Sequence, residues 1–311
     1  RGATLLLKYR ALNSRPYYTA FDDYFKDTGN RKENDLKSQI IGEDVQWKGN
    51  LPWDRGFLMG LNGEIHQVDA TRIGKHDENQ FSIYGSEELG IRDLPISLKL
   101  GLRLNEHSKF GSSYNPEIGL NYKKGKWEMG IQVNRSSNTP TFRQRYYEST
   151  TSKGNPDLRM ERAANYQINI SNKIGNSFNW SVVTFYSLAE DRIVSLLGSN
   201  GIYRYENIGD SSRKGIETGF DWKIAEWLGI DASYIYLIAK DDNTGLFIPF
   251  KPEHTAKSNI RLSKQNWSLI FSGKYVGDEF VDTANTKVLE GYFVADSKLT
   301  YQLGKVNLFF E

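Results

Sequence analysis

Residues 96–104 read ISLKLGLRL, with an aliphatic side chain at every second position and Ser97, Lys99, Gly101 and Arg103 between them. A strand directs alternate side chains to opposite faces, so this segment has one face of pure hydrocarbon and another carrying two cations. Lipid against one face and water against the other satisfies both at once. The pattern recurs along the chain, which removes chance as its source. Leu5, Leu7, Tyr9 and Ala11 alternate with Lys8 and Arg10, and Trp127, Met129, Ile131 and Val133 with Glu128, Gly130, Gln132 and Asn134. Tyr166, Ile168 and Ile170 oppose Asn165, Gln167 and Asn169. Ile216, Thr218, Phe220, Trp222 and Ile224 oppose Glu217, Gly219, Asp221 and Lys223, and Leu299, Tyr301 and Leu303 oppose Lys298, Thr300 and Gln302.

Composition narrows the classes. A mean hydropathy of −0.59 and the lack of a long apolar run exclude a helical membrane protein, whereas a barrel escapes that test because only alternate residues meet lipid. The 40 basic and 38 acidic residues leave a formal charge of +2, which gives no electrostatic reason to bind nucleic acid. The chain has no cysteine, so disulfides, thiolate catalysis and Cys-ligated metal centres are excluded. Its 18 Tyr, 16 Phe and 7 Trp suit aromatic girdles at two membrane interfaces, although a soluble β-sandwich is rich in aromatics too.

Turn-like breaks fall at residues 50–56, 92–95, 123–126, 175–177, 225–227, 264–266 and 304–305. Long polar connections are expected at 13–34, 69–78, 136–160, 241–252 and 277–290. Short turns on one side and long loops on the other mark an outer-membrane barrel. The reading is an all-β, antiparallel up-and-down transmembrane β-barrel, with about 15 strands between the breaks. An odd number cannot close such a barrel, and an open edge in lipid leaves unpaired backbone groups costing several kcal/mol each. Residues 1–311 are therefore expected to be one partial barrel domain, a fragment that starts without Met or an export signal and lacks its first strands.

Residues 134–170, NRSSNTPTFRQRYYESTTSKGNPDLRMERAANYQINI, resemble the TonB-dependent outer-membrane receptors through Asn134, Pro140, Phe142, Tyr147, Gly154, Asn155, Pro156, Leu158 and Glu161. YENIGDSSRKGIETGF is similar to the family's Tyr-x-Asn-x-Gly…Gly-x-Glu strand through Tyr205, Asn207, Gly209, Gly215 and Glu217. FKPEHTAKSNIRL carries Pro252 and His254 in family-like positions, and GYFVADSKLTYQL and VNLFFE resemble the strands before the family's last. The resemblance implies a barrel of about 22 strands, of which this chain is the C-terminal part, with an N-terminal plug domain absent. It implies a monomeric transporter in the outer membrane of a Gram-negative-type bacterium, importing a scarce bulky nutrient with energy from TonB acting through that plug. The resemblance puts ferric siderophore or cobalamin ahead of haem, because the family's haem receptors usually carry a His in this loop and none lies between Arg143 and Asn155. A plugless diffusion channel is the alternative.

Ligand contacts are expected on outward-facing loops rich in rings and guanidinium groups, which supply contact area and directed donors. Two clusters qualify: Tyr17, Tyr18, Phe21, Tyr24 and Phe25; and Phe142, Arg143, Arg145, Tyr146 and Tyr147. Loop packing or girdle placement explains the same residues without a ligand. Lys8, Arg10, Lys99 and Arg103 belong to a polar barrel interior, where charge networks outweigh ligand guidance. His66, His76, His107 and His254 have no metal-ligand spacing, and Asp241, Asp242 and Asn243 suit a solvated turn better than a calcium loop. No nucleophile elbow or phosphate-cradling loop is present, so no cofactor and no enzymatic activity are expected.

Overall fold

The computed structural model describes residues 2–9, 11–27, 32–50, 56–198, 200–304 and 306–310, and the side chains of 25–27 and 32–34 fall outside the described set. Among the described residues, fifteen wall-forming strands follow two short N-terminal pieces, Gly2–Thr4 and Leu7–Tyr9, with five shorter strands in the connections. They are Leu12–Asp27, Lys32–Gly49, Gly56–Ala70, Gly74–Gly90, Ile96–His107, Gly111–Lys124, Trp127–Asn138, Glu161–Ile174, Phe178–Glu190, Ser211–Ala225, Leu228–Asp241, His254–Lys264, Trp267–Val276, Tyr292–Leu303 and Val306–Phe310. Gly125, Gly175 and Gly304 take the left-handed conformation in short turns between them.

The chain divides into two compact units. One comprises Arg1–Gly119, Val133–Ala164 and Ala189–Asp210, the other Leu120–Gln132, Asn165–Leu188 and Ser211–Glu311. In the first unit, Leu12–Asp27, Lys32–Gly49, Gly56–Ala70, Gly74–Gly90 and Ile96–His107 pair antiparallel in chain order. In the second, Ser211–Ala225, Leu228–Asp241, His254–Lys264, Trp267–Val276, Tyr292–Leu303 and Val306–Phe310 do the same.

Register explains the alternation in the sequence. Trp47, Met59, Gly85 and Leu102 stand opposite one another across four strands of the first unit, and one residue along stand Gln46, Gly60, Tyr84 and Arg103. The apolar row is open and the polar face is covered: Trp47, Met59 and Leu102 are 51%, 54% and 47% exposed, whereas Gln46, Tyr84 and Arg103 are half-buried and Ser82, Ser97, Asp44 and Asn62 on the same face are buried. The second unit repeats the register with Trp222, Ile230, Ile260 and Phe271 in one row and Asp221, Asp231, Asn259 and Ser272 in the next; Trp222, Ile260 and Phe271 are exposed, and Asp231, Asn259 and Ser272 half-buried. Leu100, Ile131 and Ile168 are likewise exposed. A water-soluble fold buries its hydrocarbon, and this one presents it outward, as a wall solvated by lipid requires.

The polar side carries hydrogen-bond networks that cross several strands. Arg103 donates to Ser82 Oγ at 2.9 Å and to Asn105 Oδ1 at 2.8 Å, and Asn105 donates to Ser113 Oγ at 3.1 Å. Lys99 pairs with Glu117 at 2.6 Å, so Lys99 and Arg103 sit in charge networks. In the second unit Arg261 pairs with Asp231, which also accepts from Asn259 at 2.8 Å.

Two expected connections are corrected. Residues 13–34 lie mostly in the strands Leu12–Asp27 and Lys32–Gly49, which remain paired from Leu12 opposite Trp47 to Asp27 opposite Lys32. Residues 69–78 fold as a tight turn, with Ala70 opposite Gly74. A bilayer needs about 10 residues of tilted strand, and these strands have 15 to 18. Beyond that length the apolar alternation stops while backbone pairing continues. Residues 191–210, which the sequence pattern does not mark as a connection, form a hairpin of Ile193–Leu197 and Tyr203–Asn207.

Candidate functional site

The longest connection opens with a five-residue helix, Phe142–Tyr146. The Thr141 hydroxyl accepts from the Gln144 N–H at 3.2 Å while Gln144 Oε1 accepts from the Thr141 N–H at 2.8 Å, a reciprocal capping box that starts the helix. Thr141-x-x-Gln144 was therefore a readable helix signal. Tyr147 ends the helix, its N–H donating to the Arg143 carbonyl.

Arg145 anchors this helix. Its side chain is 1% exposed and donates to Glu78 near the tip of the hairpin Gly56–Gly90. The guanidinium lies 5.0 Å from the ring centres of Phe110, Phe142 and Tyr146, an aromatic cage around a cation. The other Glu78 oxygen lies 3.6 Å from Nε2 of buried His107, whose Nδ1 accepts from the Lys109 N–H at 3.1 Å. The His76 ring stacks on Tyr146 with centres 3.7 Å apart and planes within 9°, and bonds the Ile73 carbonyl at 2.8 Å. Arg72 donates to the Tyr147 hydroxyl at 2.8 Å, and that bond holds the phenol below its ordinary pKa. Arg143 stands 5.1 Å above the Tyr147 ring and is exposed.

The stretch after the helix folds back over it. A Cβ on Gly154 would lie 2.6 Å from the Arg145 carbonyl carbon and the Tyr146 nitrogen, so only glycine permits this crossing. The Asn155 N–H donates to the Gln144 carbonyl at 2.9 Å, and its side chain donates to the Tyr205 carbonyl at 3.0 Å and to Glu206 at 3.1 Å. Asn207 receives the Arg159 N–H at 2.7 Å and donates to the Asp191 carbonyl at 2.5 Å. Glu161 accepts from the Ile193 N–H at 2.7 Å and from Asn138 at 2.8 Å. Gly154, Asn155, Glu161 and Asn207 thus fasten two outer connections together.

The structure gathers Phe142, Arg143, Arg145, Tyr146 and Tyr147 into one cluster with Arg72, His76, Glu78, His107, Lys109 and Phe110. The last six come from strand ends and turns that sequence spacing does not bring near the helix. Tyr17, Tyr18 and Tyr24 instead lie on the strand Leu12–Asp27, not on a loop. Tyr17 faces the polar side and donates to Glu64, whereas Tyr18 and Tyr24, one and seven residues along, are exposed on the other face. Among the described residues no hydrogen bond or ring contact joins these tyrosines to the helix cluster. Phe21 is exposed on the same strand, and the Phe25 side chain and Arg10 fall outside the described residues. Asp241 Oδ1 accepts from the N–H groups of Asn243 and Thr244 at 2.9 and 3.1 Å, the bonding of a turn.

Comparison with known proteins places this architecture. Residues 3–311 match the family model described as TonB dependent receptor-like, beta-barrel. The chain is 26% identical over 288 residues to the vitamin B12 transporter BtuB of Photobacterium profundum, covering 88% of this chain and 46% of that protein. It is 22% identical over 264 residues to the probable TonB-dependent siderophore receptor PirA of Acinetobacter baumannii, covering 71% and 34%. A crystal structure of the ferric enterobactin receptor PfeA from Pseudomonas aeruginosa, in a mutant form, superposes with a TM-score of 0.79 at 17% identity, covering 98% of this chain and 54% of that one. The chain thus spans about half the length of the proteins it matches, or less. With an outward hydrocarbon wall, a hydrogen-bonded polar wall and a family match over nearly every residue, the chain belongs to the TonB-dependent receptor β-barrel family.

Proposed function

We propose that this chain is the barrel part of an outer-membrane active transporter that imports a bulky, scarce nutrient, a ferric siderophore or cobalamin, with energy from TonB acting through a plug region. The carrying observation is the outer cluster, where Arg72, Arg143 and Lys109 surround the rings of Tyr146 and Tyr147 on a helix held by the buried Arg145–Glu78 pair. The exposed Arg143 guanidinium and the half-buried phenols of Tyr146 and Tyr147, fixed on a preformed loop, suit an oxygen-rich, anionic ligand, because little ordering entropy is lost on capture. Phe142, Arg143, Tyr146 and Tyr147 supply the contacts in this reading, and Arg145 positions them. Tyr17 contributes from the polar side, whereas Tyr18 and Tyr24 lie on the opposite face of the same strand and stay outside this contact set. The relatives, named for vitamin B12 and for siderophores, support the ligand class.

The test is growth of a strain starved of iron or of cobalamin, complemented by the full-length protein, together with binding of ferric enterobactin and of cyanocobalamin. Uptake is expected to require TonB, and Arg143→Ala is expected to weaken capture of the bound ligand about tenfold, the loss of one charge-assisted hydrogen bond. TonB-independent uptake would make the chain part of a passive diffusion channel instead.

A further inference from the structure

The outward wall of the first unit has a notch of about 520 Å³ at its short-turn end. Trp47, Phe57, Met59, Leu100 and Leu102 surround it, and Gly85 forms the floor. The register puts Trp47, Met59, Gly85 and Leu102 in one row, and Phe57, Glu87 and Leu100 in the next row toward the turns. Glu87 and Glu117 line the same notch, and Glu117 is paired with Lys99 at 2.6 Å. Trp47 and Phe57 meet edge to face, with ring centres 5.1 Å apart and planes at 85°. Gly85 lies five residues above the strand end Gly90. At the rise and tilt of a barrel strand the floor is therefore about 12 Å inside the turn end, with Glu87 about 5 Å nearer the headgroups.

We infer that this notch binds one amine-headed phospholipid, its acyl chain over Gly85 and its ammonium between Glu87 and the rings of Trp47 and Phe57. The notch is continuous with a wall that already meets hydrocarbon, so acyl chains are the molecules next to it. The apolar walls fit the chain, and a carboxylate beside two aromatic rings at headgroup depth attracts an ammonium and repels an anionic headgroup. Missing contact across a gap of this size is lost dispersion energy, which an acyl chain restores. The inference rests on the membrane placement proposed above and is independent of the ligand reading.

The experiment is native mass spectrometry of the full-length protein in mixed micelles holding equal phosphatidylethanolamine and phosphatidylglycerol of matched chain length. The wild type is expected to retain phosphatidylethanolamine preferentially. A Cβ on Gly85 would meet only the Leu58 carbonyl oxygen at 3.5 Å and Met59 Cγ at 3.9 Å, so Gly85→Leu fills the notch at ordinary contact distances. It is expected to lower occupancy about tenfold, equal to two buried methylenes. Leu100→Ala removes a wall and lowers occupancy as well, while Glu87→Gln keeps occupancy and loses the headgroup preference. Heat-modifiable electrophoretic mobility shows that each variant is folded. Unchanged occupancy in Gly85→Leu and Leu100→Ala, or no headgroup preference in the wild type, overturns the inference. Density fractionation of the membranes tests the placement separately.

Discussion

Tyr17 and Tyr84 reach across the polar wall in opposite directions. Tyr17, on the strand Leu12–Asp27, lies over Gly42 to donate to Glu64 two strands away. Tyr84, on Gly74–Gly90, lies over Gly60 to donate to Asp44 at 2.5 Å, two strands back. Asp44 also accepts from Gln46 at 2.7 Å and from Arg15 at 3.4 Å, and Asn62 donates to Tyr17 at 3.3 Å. The two rings cover glycines whose Cβ atoms would overlap them, so glycine and tyrosine act as pairs that hold four strands in register.

That pairing predicts a non-additive mutant cycle. Tyr84→Phe removes a hydrogen bond to a carboxylate and is expected to cost about 1–2 kcal/mol in thermal unfolding in detergent. Gly60→Ala is expected to cost a similar amount by displacing the same ring, and the double variant little more than either alone. Additive losses would show that the ring and the glycine act independently.

The Arg145–Glu78 pair predicts loop release without barrel loss. Removing one partner leaves a buried charge uncompensated, at a cost of about 3–5 kcal/mol. Arg145→Met and Glu78→Gln are each expected to open residues 142–160 to limited proteolysis while heat-modifiable mobility stays intact. Protection equal to wild type in both would mean that the Gly154 and Asn155 contacts alone hold the loop.

Acid should loosen a second connection. Asp282 accepts from the Thr286 hydroxyl at 2.6 Å and from the Thr286 and Lys287 N–H groups at 3.0 Å each. The Thr286 bond, then the Lys287 N–H, hold its carboxyl below the ordinary carboxylate range. A carboxyl with a depressed folded pKa stabilises above its unfolded value and loses that contribution as pH falls through the folded one. Amide exchange at Thr286 and Lys287, corrected for intrinsic rate, is expected to speed up only below the ordinary aspartate range, and Asp282→Asn to show raised exchange at neutral pH. Flat protection across that range in the wild type would dissociate the turn from this carboxylate.

The wall was legible in the sequence because alternation is a local property. Leu98, Leu100, Leu102 and Leu104 declare their face without reference to any partner strand, and the fifteen strands agree with a spacing of turns that is also local. The strand pairing within 13–34 and 69–78 was not legible, since there the strands pair through their backbones without the apolar alternation that marks the wall. The site was half legible. Phe142 to Tyr147 stand together in the chain, but Arg145 and Glu78 are 67 residues apart and meet only through tertiary pairing. Burial of Arg145 likewise has no local mark. The family fingerprint at Gly154, Asn155 and Asn207 identified the connection correctly and encodes its fastening.

The orientation of the wall is tested most directly by single-cysteine spin labels at Leu102, Leu104, Ser82 and Arg103 of the full-length protein in liposomes, with any cysteine outside residues 1–311, which hold none, replaced by serine. Collisional relaxation by oxygen, which concentrates in hydrocarbon, is predicted to dominate at Leu102 and Leu104, and relaxation by a water-soluble nickel chelate to dominate at Ser82 and Arg103. Nickel accessibility at Leu102 and Leu104, or oxygen accessibility confined to Ser82 and Arg103, would contradict a lipid-facing aliphatic wall.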